Sequence, residues 1–116
     1  MGVAMLLWTF LADASAPAMA ADYAPIDCSK ANLSAERAIC GNYTLGQSEA
    51  RMATLFGIVT SLVAMGQRGD IGDAQRQWIR KRNQCGASIG CIADAYQKRI
   101  QALSAAMASI ESRGPY

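Results

Sequence analysis

The sequence has no histidine among its 116 residues. That single absence removes a Ser-His-Asp triad, an imidazole general base and any His-ligated metal. Proline is scarce too: Pro17, Pro25 and Pro115 are the only three, so residues 26–114 carry none. Charge is sparse and nearly balanced. Eleven Lys and Arg against nine Asp and Glu give +2, with no run of five like charges, which argues against a nucleic-acid partner. There is no glycine-rich phosphate loop and no recognisably spaced carboxylate pair. The chain therefore reads as a binding protein rather than an enzyme, with no cofactor. What it has in abundance is alanine, at 22 residues, and it is poor in β-branched residues. One proline-free, alanine-rich stretch of this length predicts a single all-α domain.

Long hydrophobic runs are also missing. Val3 to Ala12 is apolar, but roughly ten residues is about half of what crosses a bilayer, so no membrane span is expected. Ala18-Met19-Ala20 follows, an A-x-A pattern that signal peptidase accepts. Residues 1–20 are expected to be a Sec-type signal peptide cut between Ala20 and Ala21, with a periplasmic or secreted product. The rival reading is a buried N-terminal helix, since no Lys or Arg precedes the run and Asp13 follows it. Cys28 follows Pro25-Ile26-Asp27, not the small residues that lipid attachment requires. Losing the leader removes only Asp13, so 11 basic against 8 acidic residues leave +3.

Export changes the reading of the cysteines. Cys28, Cys40, Cys85 and Cys91 all follow the cleavage point, and an even count in a short exported chain predicts two disulfides. Neither interval is a close C-x2-4-C, which disfavours zinc, and no C-x-x-C supports a redox role. Three pairings exist. Cys28–Cys40 with Cys85–Cys91 needs the least rearrangement, and Cys40–Cys85 is the cross-pairing that competes.

Residues 21–33 look irregular. Ser34 is placed to cap a short helix ending at Cys40, with Gly41 as its stop. Thr44-Leu45-Gly46-Gln47 has the form of a capping box. From there Leu45, Met52, Leu55, Phe56, Val59, Leu62 and Val63 repeat as one apolar face. Gly66, Gly69 and Gly72 mark a break. A third helix is predicted over 71–84 with Ile71, Ala74, Trp78 and Ile79 inward. A turn from Gly86 to Gly90 follows. A fourth helix then carries Ile92, Tyr96, Ile100, Leu103, Met107 and Ile110, ended by Gly114-Pro115. Short connections favour antiparallel neighbours, and that arrangement brings the cysteines to one end. The prediction is a small antiparallel helical bundle, one short and three longer helices over 34–113, stapled by two disulfides.

Cys28 with Glu36-Arg37-Ala38-Ile39-Cys40 resembles the C…E-x-x-I-C opening of the lysozyme-inhibitor LprI-like family of exported bacterial proteins. Gln75-x-x-Trp78-x-x-x-Arg82-x-x-Cys85 resembles that family's Q-x-x-W-x-x-x-R-x-x-C signature. Cys91-Ile92-x-x-x-Tyr96-x-x-Arg99-Ile100-x-x-Leu103 is similar to its closing motif. The likeness spans roughly residues 28–103 in order. Two departures stand out: Ser48-Glu49 replaces the usual Leu-Asp, and Phe56 replaces a tyrosine. The resemblance implies a disulfide-bonded helical domain outside the cytoplasm and, for some members, inhibition of lysozyme. It implies no catalytic residues.

Gln75, Trp78 and Arg82 share one helix face. They are either a recognition stripe or packing, with Trp78 as a core anchor and Gln75 and Arg82 tying helix ends together. Packing is the stronger reading, because Ile71, Ala74 and Ile79 turn that face inward. A buried Arg82 needs an acid, and Glu36 and Glu49 are the candidates. Tyr96 is expected in the core with its hydroxyl at the rim, and Arg99 in a surface or interhelix ion pair. Arg76, Arg80 and Lys81 form a basic cluster, which is a solvated face or a partner-binding surface. Two functions follow: a lysozyme inhibitor, or a periplasmic helical adaptor or stress protein binding another envelope protein. An adaptor calls for an exposed apolar patch, to which Met52, Met65 and Met107 are candidates. The leader reading predicts that the exported protein begins at Ala21 by intact mass. Ala20→Asp should block the cut, and an uncut, cytoplasmic wild-type chain would contradict it.

Overall fold

The computed structural model describes residues 25–113. The signal peptide expected over 1–20 and the Gly114-Pro115 stop lie outside the described residues. Four helices run in order: α1 Ser34–Gly41, α2 Tyr43–Leu62, α3 Met65–Gln84 and α4 Ile89–Ser112. A 3-10 turn at Cys28–Lys30 interrupts the otherwise irregular entry, with the Asp27 carboxylate accepting from the Ser29 amide.

The largest interface joins α2 to α4. Buried Leu45, Met52 and Phe56 on α2 and Ile92, Tyr96 and Leu103 on α4 belong to one cluster, and Val59 and Ile110 are buried further along the same two helices. Both sets recur at spacings of three, four and seven residues, so each forms one stripe. Each large apolar side chain so buried is worth about 1.5–3 kcal/mol. Ala35 and Ile39 of α1 and Trp78 of α3 close the cluster. Glu49 near the start of α2 meets Tyr96 near the start of α4 and Arg82 near the end of α3. Hence α2 and α4 run the same way and α3 runs against both. Both disulfides, Cys28–Cys40 and Cys85–Cys91, form at the end where α2 and α4 begin.

The helix starts differ from their sequence signals. Leu33, not Ser34, is the N-cap of α1, and no side chain caps it; Arg37 reaches back to the Asn32 carbonyl instead. Thr44 and Gln47 make no capping box, because Thr44 is already inside α2. The cap is Asn42, the one residue between α1 and α2, whose Oδ1 accepts from the Leu45 amide at 3.0 Å. Gly41 ends α1 without a left-handed backbone. Only Gly86, with φ 57°, takes that conformation among the described glycines, where α3 turns back towards Cys91.

The largest departure is α3, which starts at Met65, six residues before the predicted Ile71. Gly66, Gly69 and Gly72 do not break the chain; they lie within the helix. Tertiary anchoring overrides their weak propensity, for Arg68 Nε donates to the Thr60 carbonyl at 2.8 Å across the α2–α3 turn. Ala74 is exposed rather than inward, since the buried line of α3 is Gly72, Gln75, Trp78 and Arg82. Residues 65–70 are all exposed, so this stretch has little core of its own. Space is open at Gly66 and Gly69, where an added Cβ would meet nothing within 4 Å. Gly66→Ala and Gly69→Ala should each raise stability by about 0.5–1 kcal/mol, measured by denaturant melts. A loss at either site would show that α3 begins later.

Candidate functional site

Arg82 is only 2% exposed although it carries a permanent charge. Its guanidinium sits where α2, α3 and α4 converge. Nη1 lies 3.5 Å from Glu49 Oε2 and 3.4 Å from the Tyr96 hydroxyl, while the Tyr96 O–H donates to the same Glu49 oxygen. The phenol thus links cation and anion. Nε and Nη2 both donate to Asn83 Oδ1, at 3.2 and 3.0 Å. The guanidinium carbon lies 5.4 Å from the Trp78 ring centroid, within cation–π range. Trp78 meets Tyr96 edge-on at 5.1 Å and donates from Nε1 to the Ala95 carbonyl at 2.9 Å. Of the two acids proposed for Arg82, the structure selects Glu49. Glu36 is half-buried on α1 and makes no ion pair among the described residues.

A second set of bonds lies one turn further along α2 and α4 and two turns back along α3. Gln75 is buried, donating from Nε2 to Met52 Sδ at 3.0 Å and accepting from Arg99 Nε at 2.7 Å. Arg99 also donates to the Ile71 carbonyl at 3.4 Å. An arginine can only donate, which fixes which end of the Gln75 amide faces it. Arg99 is therefore not in the expected ion pair; neutral acceptors hold it, and burial pulls its pKa below the usual arginine value. The Tyr96 hydroxyl is buried, not at the rim as its amphipathic shape suggested, because Glu49 lies inside the bundle. Met52 is fully buried as well, so it contributes to no exposed patch, while Met65 is 84% exposed. Asn83 and the Met52 thioether were not legible as partners. Neither residue type carries a charge that would have demanded one.

Of the six signature residues, Gln75, Trp78, Arg82, Tyr96 and Arg99 thus serve interhelix bonds, whereas Glu36 makes no side-chain hydrogen bond or ion pair among the described residues. Arg76, Arg80 and Lys81 remain exposed. They are not one cluster: Arg76 and Arg80 sit one turn apart, whereas Lys81 points about 100° round the helix from Arg80. Arg76 pairs with Asp73. Among the described residues no group of acids or cysteines could hold a metal ion, and no helix is long and apolar enough to cross a membrane. Comparison with protein-family models, curated proteins and solved structures finds no match to this chain.

Burial, reinforced by the hydrogen bond to Glu49, pushes the Tyr96 phenol well above its ordinary value. The unfolded chain releases that proton near pH 10, and the native chain does not. The stability tied to Tyr96 is accordingly intact below about pH 10 and lost as pH rises further. Tyr96→Phe should flatten this alkaline fall while costing about 1–3 kcal/mol at pH 7. Arg82→Met should cost about 3–5 kcal/mol, since it takes the cation away from the buried Glu49 carboxylate. Denaturant melts at pH 7 and pH 11 check both, and a neutral Arg82→Met would refute the network.

Proposed function

We propose that the protein is an exported, non-enzymatic binding module of the LprI-like kind, periplasmic or secreted, whose partner is a lysozyme. The observation that carries this reading is the use of the signature residues. Gln75, Trp78, Arg82, Tyr96 and Arg99 interlock three helices and hold no chemistry at the surface. Two disulfides suit an oxidising compartment. Recognition then falls to exposed side chains, and the flank of α3 carrying Arg76 and Arg80 is the basic one. A glycosidase cleft holds two carboxylic groups. An arginine laid between them blocks it without any reaction. The small net charge, +2 for the full sequence and +3 once residues 1–20 are removed, gives no long-range steering towards a basic lysozyme, so the contact is local and depends little on salt.

A second reading has its own support. Ile58, Leu62 and Met65 are exposed around the α2–α3 turn, a feature that suits an adaptor binding another envelope protein.

A lysozyme assay on cell walls with the oxidised protein separates the two. Dose-dependent inhibition that persists at physiological salt is expected, with Arg80→Glu weakening it roughly tenfold at unchanged melting temperature. No inhibition of any lysozyme type by the folded protein would refute the inhibitor reading and leave the adaptor.

A further inference from the structure

Helix α3 covers the α2–α4 pair on one side only. On α4, Ala95 and Arg99 face α3. Gln97 is two residues from each, so it projects about 200° away, on the far side. There a groove of about 500 Å³ runs between α2 and α4. Ser48 and Arg51 line it from α2, and Gln97, Gln101 and Ser104 from α4, with half-buried Ile100 and exposed Ala93 as its apolar members.

These polar side chains are unspent. None of the five makes a side-chain hydrogen bond or ion pair among the described residues. By contrast, the hydroxyls of Thr54, Thr60, Ser61 and Ser112 all donate to carbonyls three or four residues back in their own helices. Ser48 and Ser104 do not. Among the described residues Arg51 is the only charged one that lines the groove, and no acid does.

We infer that this groove binds a small ligand carrying a carboxylate beside amide groups. The Arg51 guanidinium presents a planar fork that matches a carboxylate in two parallel bonds. Gln97 and Gln101 each offer a donor and an acceptor, the complement of an amide. The two serine hydroxyls can serve in either sense, and Ile100 offers contact to a methyl group. The volume lies within the range of small-molecule sites. A cation would meet repulsion from Arg51 and no compensating acid. Two envelope sources carry this chemistry: the N-acetylated, carboxylate-bearing sugar of the wall, and the free end of a peptide. The site lies away from the Arg76–Arg80 flank, so it stands or falls separately from lysozyme binding.

Titrating the oxidised protein with N-acetylmuramic acid and, separately, with acetyl-dialanine tests this, followed by amide proton–nitrogen correlation spectra. Shifts centred on Ser48, Arg51, Gln97 and Gln101 are expected, with Arg51→Gln weakening binding roughly tenfold. Arg51 is exposed, and the same spectra verify that the variant is folded. Response to the sugar alone assigns the wall glycan, response to the dipeptide alone assigns a peptide end, and either supports the site. The inference is overturned if neither probe shifts the groove at millimolar concentration. It is overturned equally if the C-amidated dipeptide binds as well as the acid, or if Arg51→Gln binds undiminished.

Discussion

The constraint on which this bundle depends is the burial of the Arg82 charge. Removing a guanidinium from water is expensive unless its bonds are replaced. Here Asn83 of its own helix supplies part of the replacement, and two other helices the rest: the Glu49 carboxylate from α2 and the Tyr96 hydroxyl from α4. Apolar contact is non-directional, and α2 could slide one turn along α4 and still bury leucine and methionine. The Arg82 contacts allow no such shift, because a one-turn slip carries Glu49 away from its cation. Gln75 fixes the register again, between the Met52 thioether and Arg99.

The molecule is uneven along its length. At one end lie both disulfides, α1 and the polar network. At the other, α3 begins without a side-chain cap and with three glycines in its first eight residues. Arg68 ties it to α2 by one bond to a carbonyl. Beside it, Val63, Ile71, Ala106 and Ile110 line a groove of about 300 Å³. Local opening follows the distribution of buried contacts, so the α2–α3 turn is the soft end and the cystine end the rigid one.

Such a division suits a protein that works by binding. Its most distinctive residues hold the helices in register, and the surface is left to exposed, adaptable side chains. Arg76 and Arg80 on α3 and the polar groove between α2 and α4 lie on different sides of the bundle. They differ in chemistry as well: the projecting cationic flank has the shape to enter a concave acidic partner, whereas the groove around Arg51 has the shape for the small ligand proposed above.

The all-α class, the inward stripe of α2 up to Val59 and of α4, and the inwardness of Trp78 and Arg82 were legible in the sequence, but Leu62, which continues the α2 period, is exposed beyond the end of the core. Each rests on the period of the helix, which is a local property. The need of Arg82 for an acid was legible too, but not which acid. Glu36 and Glu49 were equivalent until the helices were placed, and only their packing put Glu49 within reach. The start of α3 was misread for the same reason. Gly66, Gly69 and Gly72 are poor helix formers alone, and a bond from Arg68 to another helix holds them helical. The sequence by itself determined the periodic faces and the cysteines available for pairing, since these depend on neighbours along the chain. Only the tertiary structure decided the partner of Arg82, the burial of the Tyr96 hydroxyl and the groove around Arg51. Those depend on distances between helices, which no local pattern encodes.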